Sequence, residues 1–340
     1  MQNYILQNEN SVYFECGYSC DNLIFLNLGS EKFFITDGRY EIEAKLFTYG
    51  CEVIISKDLL KSARKILKQS SIKKLYYDPN DFSVFQYNTL TTKLPIKFMP
   101  KPYFSKQKRI IKTPQEIKYI KKAMTLGREG FDNFANYLQK SGLDKTEQYL
   151  YFKAKEFLSF YGKYDLSFDP IVAIKQNSAK PHALPTDKKL KQNTLLLVDA
   201  GLKYKRYCSD RTCTSSFTQN IDFGRKQIFS KKLQQKIYDI VLKAQQTAIS
   251  KARVGMKASQ IDKLARDVIE KAGYGKYFIH STGHGVGLDI HEYPNINNKN
   301  KTIIEDNMVF TIEPGIYLAD KFGVRIEDTI VMKNGKAEIL

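Results

Sequence analysis

HSTGHGVGLDIHE, running from His280 to Glu292, is followed by TIEPGIY from Thr311 to Tyr317 and by GVRIED from Gly323 to Asp328. The run Val309-Phe310-Thr311-Ile312-Glu313 alternates, so Val309, Thr311 and Glu313 share one face of a strand. Arg325 and Glu327 are also two apart, with Val324 and Ile326 on the opposite face. Both acids can therefore point inward from neighbouring strands. An imidazole and several carboxylates aimed at one point form the donor set of a divalent cation that prefers oxygen.

Two further acids extend the set. Asp199 ends the aliphatic run Leu195-Leu196-Leu197-Val198, and Asp210 opens Asp210-Arg211-Thr212-Cys213-Thr214, which reads as the next strand. A carboxylate at the end of a buried strand is costly without a partner. Asp199, Asp210, His284, Glu313 and Glu327 are thus five candidate ligands. Four converging carboxylates repel one another and take up protons. Two divalent cations would reverse that tendency and keep the acids ionised.

Two other readings of the same glycine-histidine run fail. His280 and His284 have the four-residue spacing of a helical zinc site, but position 281 is serine where the general-base glutamate belongs, and Gly283, Gly285 and Gly287 make a poor helix. The glycines lack the lysine of a phosphate-binding loop and follow no βαβ unit. Close approach of backbone beside a ligand explains them better.

With these residues in view, the sequence resembles the proline-specific branch of the pita-bread metallopeptidases, the family of Xaa-Pro aminopeptidase and Xaa-Pro dipeptidase (prolidase). The resemblance spans nearly the whole chain, from FITDGRY at Phe34 to Tyr40 onward, and all five ligand positions carry the expected residue type. It implies an α+β protein: a creatinase-like N-terminal α/β domain over residues 1–108 and a pita-bread catalytic domain over 109–340. It further implies a dinuclear exopeptidase that cleaves the Xaa-Pro bond through a hydroxide held between two divalent ions. Asp199 would chelate one metal, Asp210 and Glu327 would bridge, and His284 with Glu313 would complete the other. Glu313 would also shuttle the proton. His182, His280 and His291 would contact substrate or relay protons, with His280 supporting the oxyanion and Arg325 anchoring substrate or orienting a histidine. Mn2+ is the expected metal, with Co2+, Zn2+ or Fe2+ as alternatives. The implied partners are proline-containing peptides and a second copy of the chain in a homodimer.

Local patterns fill in the frame. Residues 21–29 and 32–36 read as a hairpin, 38–49 as a helix, 51–55 as a strand, 58–69 as a basic helix and 74–77 as another strand. Thr113-Pro114-Gln115-Glu116 supplies a cap hydroxyl, a proline at the first helical position and an answering glutamate, so a long helix starts there. A second helix spans about 146–161. The strands near Ile171, Asp199 and Asp210 follow, and then the order recurs with helices over about 232–252 and 259–272 ahead of the His284, Glu313 and Glu327 segments. A helix-helix-strands unit repeated in this way predicts a pseudo-twofold domain.

Composition narrows the alternatives. The chain has 340 residues and a net charge of +18, but its lysines are scattered as pairs and form no nucleic-acid module. A solvated basic surface is expected, with no nucleic acid and no membrane as partner. The start, MQNYILQNEN, lacks the basic and apolar regions of a signal peptide, and the five cysteines have no zinc spacing. Both point to a cytoplasmic protein. Two positions depart from the family. Asn295 follows Pro294 where some prolidases place an arginine that grips the dipeptide carboxylate, leaving Lys299 or Lys301 as replacements. Cys213 stands where relatives commonly have arginine. The first departure favours Xaa-Pro aminopeptidase over Xaa-Pro dipeptidase. A non-catalytic pita-bread binding module is the remaining alternative.

Overall fold

A computed structural model describes residues 3–340. The chain divides into two compact units, one ending at Lys108 and the other running from Arg109 to Leu340.

The first unit is built on a six-stranded mixed sheet in the order β4-β3-β2-β1-β5-β6. Its strands are β1 (Asn3–Leu6), β2 (Leu23–Leu28), β3 (Glu31–Thr36), β4 (Glu52–Ile55), β5 (Lys74–Tyr77) and β6 (Lys97–Pro100). The centre is antiparallel, and the outer pairs β3/β4, β1/β5 and β5/β6 are parallel, which their long connections allow. Helices α1 (Glu9–Cys16), α2 (Glu41–Phe47), α3 (Leu59–Gln69), α4 (Val84–Thr91) and α5 (Phe104–Lys108) accompany it. In α3 the Asp58 carboxylate caps the Lys61 amide, and Leu59, Ala63 and Leu67 face the sheet. Helix α2 starts at Glu41, later than its sequence pattern suggests. The Asp37 carboxylate accepts from both the amide and the guanidinium of Arg39, and this local turn competes with helix at Gly38 to Tyr40.

The second unit contains two helix pairs, each laid on antiparallel strands. Helix α6 (Pro114–Ser141) opens with the reciprocal Thr113/Glu116 capping box, and α7 (Glu147–Leu158) is capped by Thr146. They bury Phe131, Phe134, Leu150 and Leu158 against β7 (Ile171–Ile174) and β8 (Thr194–Ala200). After the short hairpin β9 (Lys203–Tyr204) and β10 (Tyr207–Cys208), β11 (Arg211–Phe217) returns on the other side of β8. Helices α8 (Lys232–Lys251) and α9 (Ala258–Lys271) repeat the arrangement, packing Ile237, Val241 and Ile261 with Phe310, Ile312 and Ile330. Those last residues belong to a five-stranded sheet ordered β13-β12-β14-β17-β18. Its strands are β12 (Gly283–Gly285), β13 (Glu292–Ile296), β14 (Val309–Ile312), β17 (Asp328–Lys333) and β18 (Lys336–Ile339), with the hairpin β15 (Gly315–Leu318) and β16 (Phe322–Arg325) inserted. The helix-pair-then-strands order therefore occurs twice.

The glycines of the His284 segment serve the sheet itself, which corrects the expectation of close approach to a ligand. A Cβ on Gly283 would lie 1.9 Å from the Thr311 carbonyl oxygen, and one on Gly285 would lie 2.1 Å from that of Tyr293. Only glycine lets β12 fit between its neighbours while His284 projects.

Candidate metal centre

Strand register delivers the four acids and the histidine to one place. Asp199 sits in β8 opposite Thr212 of β11, and Asp210 immediately precedes β11. In the other sheet Ile312 pairs with Asp328, so Glu313 and Glu327 leave β14 and β17 at the same end. The two halves are tied across this point: the Glu327 amide donates to the Thr212 carbonyl at 3.1 Å, and the Thr214 hydroxyl donates to the Arg325 carbonyl at 2.8 Å.

Asp210, His284 and Glu327 each offer a donor atom within 4.8 Å of the others'. His284 Nε2 lies 3.5 Å from Asp210 Oδ2 and 3.4 Å from Glu313 Oε1. Its Nδ1 is 3.0 Å from the Gly285 carbonyl, which can only accept, so Nδ1 carries the proton. Burial pushes the His284 pKa down, keeping the ring neutral. The unprotonated Nε2 therefore faces the side-chain oxygens of Asp210 and Glu313.

Burial and then the neighbouring carboxylates push Asp210 and Glu327 well above the ordinary carboxylate range. Glu313 is raised by burial as well, although His280 and Arg325 oppose the shift. Asp199 Oδ2 receives the Arg325 guanidinium at 2.7 Å, while Oδ1 is buried without a hydrogen-bond partner among the described residues. A neutral imidazole nitrogen, an orphaned carboxylate oxygen and mutually repelling buried acids are what a cation site looks like from the protein side. The residues present fit divalent metal.

All nine residues expected from the sequence to act here line one cavity of about 520 Å³. His182 enters from the loop after β7, and His291 stacks edge-on to His284 with ring centroids 4.4 Å apart. His280 is differently disposed from its expected oxyanion role. Nδ1 donates to the Ser281 carbonyl at 2.7 Å and Nε2 meets the Tyr317 hydroxyl at 2.9 Å, with burial holding the ring neutral. Both nitrogens are thus engaged within the protein, and His280 offers no free N–H. Lys299 and Lys301 do not line the cavity, and neither do Tyr293 and Pro294. Cys213 hydrogen-bonds the Phe223 carbonyl within the hydrophobic core, on the face of β11 opposite Thr212 and Thr214, so its departure from arginine leaves the acids untouched.

Three residues escaped the sequence reading. The Thr212 hydroxyl donates to Glu327 Oε2 at 2.6 Å, and the Thr311 hydroxyl lies 3.2 Å from Glu313 Oε1. The Tyr317 hydroxyl accepts from Arg325 at 2.8 Å while reaching His280. Alternation marks Thr212 and Thr311 as sharing a strand face with acids, and that signal was available.

Residues 118–334 match metallopeptidase family M24. The chain belongs to that family. Over 235 residues it is 43% identical to an uncharacterised peptidase of Staphylococcus epidermidis, a match covering 69% of this chain and 63% of that protein. The chain thus matches less than two thirds of the length of these curated relatives. Among solved structures, an Xaa-Pro dipeptidase from Bacillus anthracis superposes with a TM-score of 0.90 at 31% identity, covering 99% of this chain and 92% of the other. An X-Pro aminopeptidase from Thermotoga maritima does so with a TM-score of 0.88 at 30% identity, covering 100% and 95%. The second unit of this family member is accordingly the pita-bread catalytic fold. Among the described residues no helix is long and apolar enough to cross a membrane.

Proposed function

We propose that this family M24 protein is a metal-dependent exopeptidase that hydrolyses the Xaa-Pro bond at the N-terminus of peptides. The observation that carries the reading is the neutral, tautomer-fixed His284 aimed at Asp210 and Glu313 in a cavity that Asp199 and Glu327 also line. Asp199, Asp210, His284, Glu313 and Glu327 would hold two divalent cations, and the oxygen-rich set favours Mn2+. When bound, such cations polarise the scissile carbonyl and lower the pKa of water.

The protein's own groups do the rest. Glu313, beside the Thr311 hydroxyl and His284, can take a proton and return it to the leaving imino nitrogen. Arg325 fixes Asp199 and, through Tyr317, the orientation of His280. His182 and His291 line the cavity and are exposed, so they can meet the peptide. Phe168, Ile171, Leu184 and Ile290 supply apolar wall for a proline ring or the side chain before it. The Xaa-Pro amide has no N–H to recognise, so shape and apolar contact must do the selecting.

The length of the accepted peptide follows from charge. Arg325 is the only arginine or lysine among the described residues lining the cavity, and Asp199, Tyr317 and Thr212 already occupy it. A dipeptide's terminal carboxylate would find no free cation there, which supports the aminopeptidase reading. Xaa-Pro dipeptidase is the second reading, favoured by the likeness to the Bacillus anthracis dipeptidase. We further assign the protein to the cytoplasm as a homodimer, with peptides rather than nucleic acid as partners. All five cysteines are free thiols, in keeping with a reducing compartment. Hydrolysis by Mn2+-loaded protein of an Xaa-Pro dipeptide beside an Xaa-Pro-containing tetrapeptide tests the proposal, with Glu313→Ala as the inactive control. Turnover of the tetrapeptide supports an aminopeptidase, turnover of the dipeptide alone a dipeptidase, and turnover of neither rejects both.

A further inference from the structure

Glu147, the first residue of α7, is completely buried and outside the acid cluster. Its Oε1 accepts the Ile174 amide at 2.6 Å. Its Oε2 accepts Asn177 Nδ2 at 2.9 Å, the Thr186 amide at 2.8 Å and the Thr186 hydroxyl at 2.5 Å. One carboxylate thus binds both ends and the interior of the segment from Ile174 to Thr186. That segment leaves β7 and carries Pro181, His182, Ala183, Leu184 and Pro185 along one wall of the cavity.

The same segment is closed on itself and anchored at its middle. Asn177 Nδ2 also donates to the Leu184 carbonyl at 2.9 Å. The Ser178 hydroxyl exchanges hydrogen bonds with the backbone of Gly323 at 2.9 and 3.0 Å, and Arg325 donates to the Pro181 carbonyl at 3.2 Å. His182 and Leu184 are nevertheless exposed, with Leu184 81% accessible, so packing of their own side chains does not hold them. An exposed wall that must meet a peptide in one shape has to be fixed from behind. A buried anion with four donors does this well, because charge-assisted hydrogen bonds are the strong ones and the helix N-terminus favours negative charge.

We infer that Glu147 is a positioning residue for substrate binding: it holds the Ile174–Thr186 wall in its peptide-contacting form and touches no substrate itself. This rests on the exopeptidase reading. Replacing it with glutamine keeps the shape but turns one acceptor into a donor, opposing at least one of the four N–H or O–H groups. The metal ligands lie on other elements, so binding suffers more than chemistry.

The test compares wild type, Glu147→Gln and Thr186→Val, the last removing a single donor in case the first does not fold. Steady-state kinetics on an Xaa-Pro tetrapeptide are read beside amide hydrogen exchange. For Glu147→Gln we expect KM to rise about tenfold with kcat within about threefold, and the amides of Ile174 and Thr186 to exchange at least about tenfold faster. Thr186→Val should move the same quantities less, and Glu156→Gln, on the same helix, should move neither. Unchanged exchange, or faster exchange with KM unaltered, overturns the inference, as does a fall in kcat alone. If wild type is silent on every Xaa-Pro peptide, the exopeptidase reading fails. Exchange then decides alone whether Glu147 fixes this wall, faster exchange supporting it and unchanged exchange overturning it.

Discussion

Arg325 and Asp199 meet at 2.7 Å with both side chains nearly enclosed, and the guanidinium simultaneously holds the Tyr317 hydroxyl, the Thr212 hydroxyl and the Pro181 carbonyl. One planar cation therefore orients a metal-ligand candidate, a histidine partner and a wall of the cavity. Lysine carries the charge but lacks the fork. Arg325→Lys should lower kcat/KM by about a hundredfold, equivalent to about 3 kcal/mol. It should also reduce Tm by roughly 5 °C, as expected for a loss of about 2 kcal/mol. Steady-state kinetics and a thermal melt read both, and an unchanged kcat/KM would contradict the assigned role.

Thr212 gives Glu327 its one side-chain hydrogen bond among the described residues, at 2.6 Å. Partners of this kind typically alter metal affinity by about 10- to 100-fold. Thr212→Val should weaken Mn2+ binding in that range, measured by calorimetry or metal-buffered activity. Affinity equal to wild type would show that Glu327 is oriented by other means.

Stability should depend jointly on metal and pH. Asp210 and Glu327 have folded pKa values raised above their unfolded ones by burial and mutual repulsion. The metal-free fold then binds more protons than the unfolded chain between those values, so their contribution to stability is fully present below the unfolded pKa and is lost as pH rises through the folded pKa. Divalent cations remove the repulsion. The Mn2+-induced rise in Tm should be larger near about pH 7.5 than near about pH 5.5, with a stabilisation of about 2.7 kcal/mol at a hundredfold excess over Kd. An equal rise at both pH values would refute the linkage.

The first unit offers a separate titration. A hydrogen bond from Cys16 is the main cause that lowers the Cys51 thiol to about 7, while Cys51 is only partly buried and the other four cysteines are enclosed. The thiolate is the reacting form, so it accumulates as pH rises through that value. Iodoacetamide should label Cys51 first, with a rate that climbs through about pH 7, followed by peptide mass spectrometry. Labelling of Cys208 ahead of Cys51 would contradict this.

What the sequence disclosed was local or periodic. The Thr113/Glu116 capping box lies within four residues, so the start of α6 could be read directly. Asp199 and Glu313 stood out because charges rarely finish aliphatic strands. The Tyr317 link to His280 and Arg325 was hidden because it depends on the β15/β16 register, which no local pattern specifies. Strand β1 is only four residues long, too short for alternation to announce it. Glu147 resembles an ordinary acidic residue in a first helical turn, and only the tertiary fold reveals the segment it binds. The glycines around His284 were read as room for a ligand, whereas their space is taken by neighbouring strands.

The most direct measurement is the initial rate of Xaa-Pro bond cleavage by Mn2+-loaded protein, after exhaustive chelation and again after Mn2+ is restored, with Asp210→Asn carried through the same steps. The account predicts a loss of at least about a thousandfold on chelation, recovery on restoring metal, and a folded but inactive Asp210→Asn. Cleavage that survives chelation, or an Asp210→Asn as active as wild type, would contradict it.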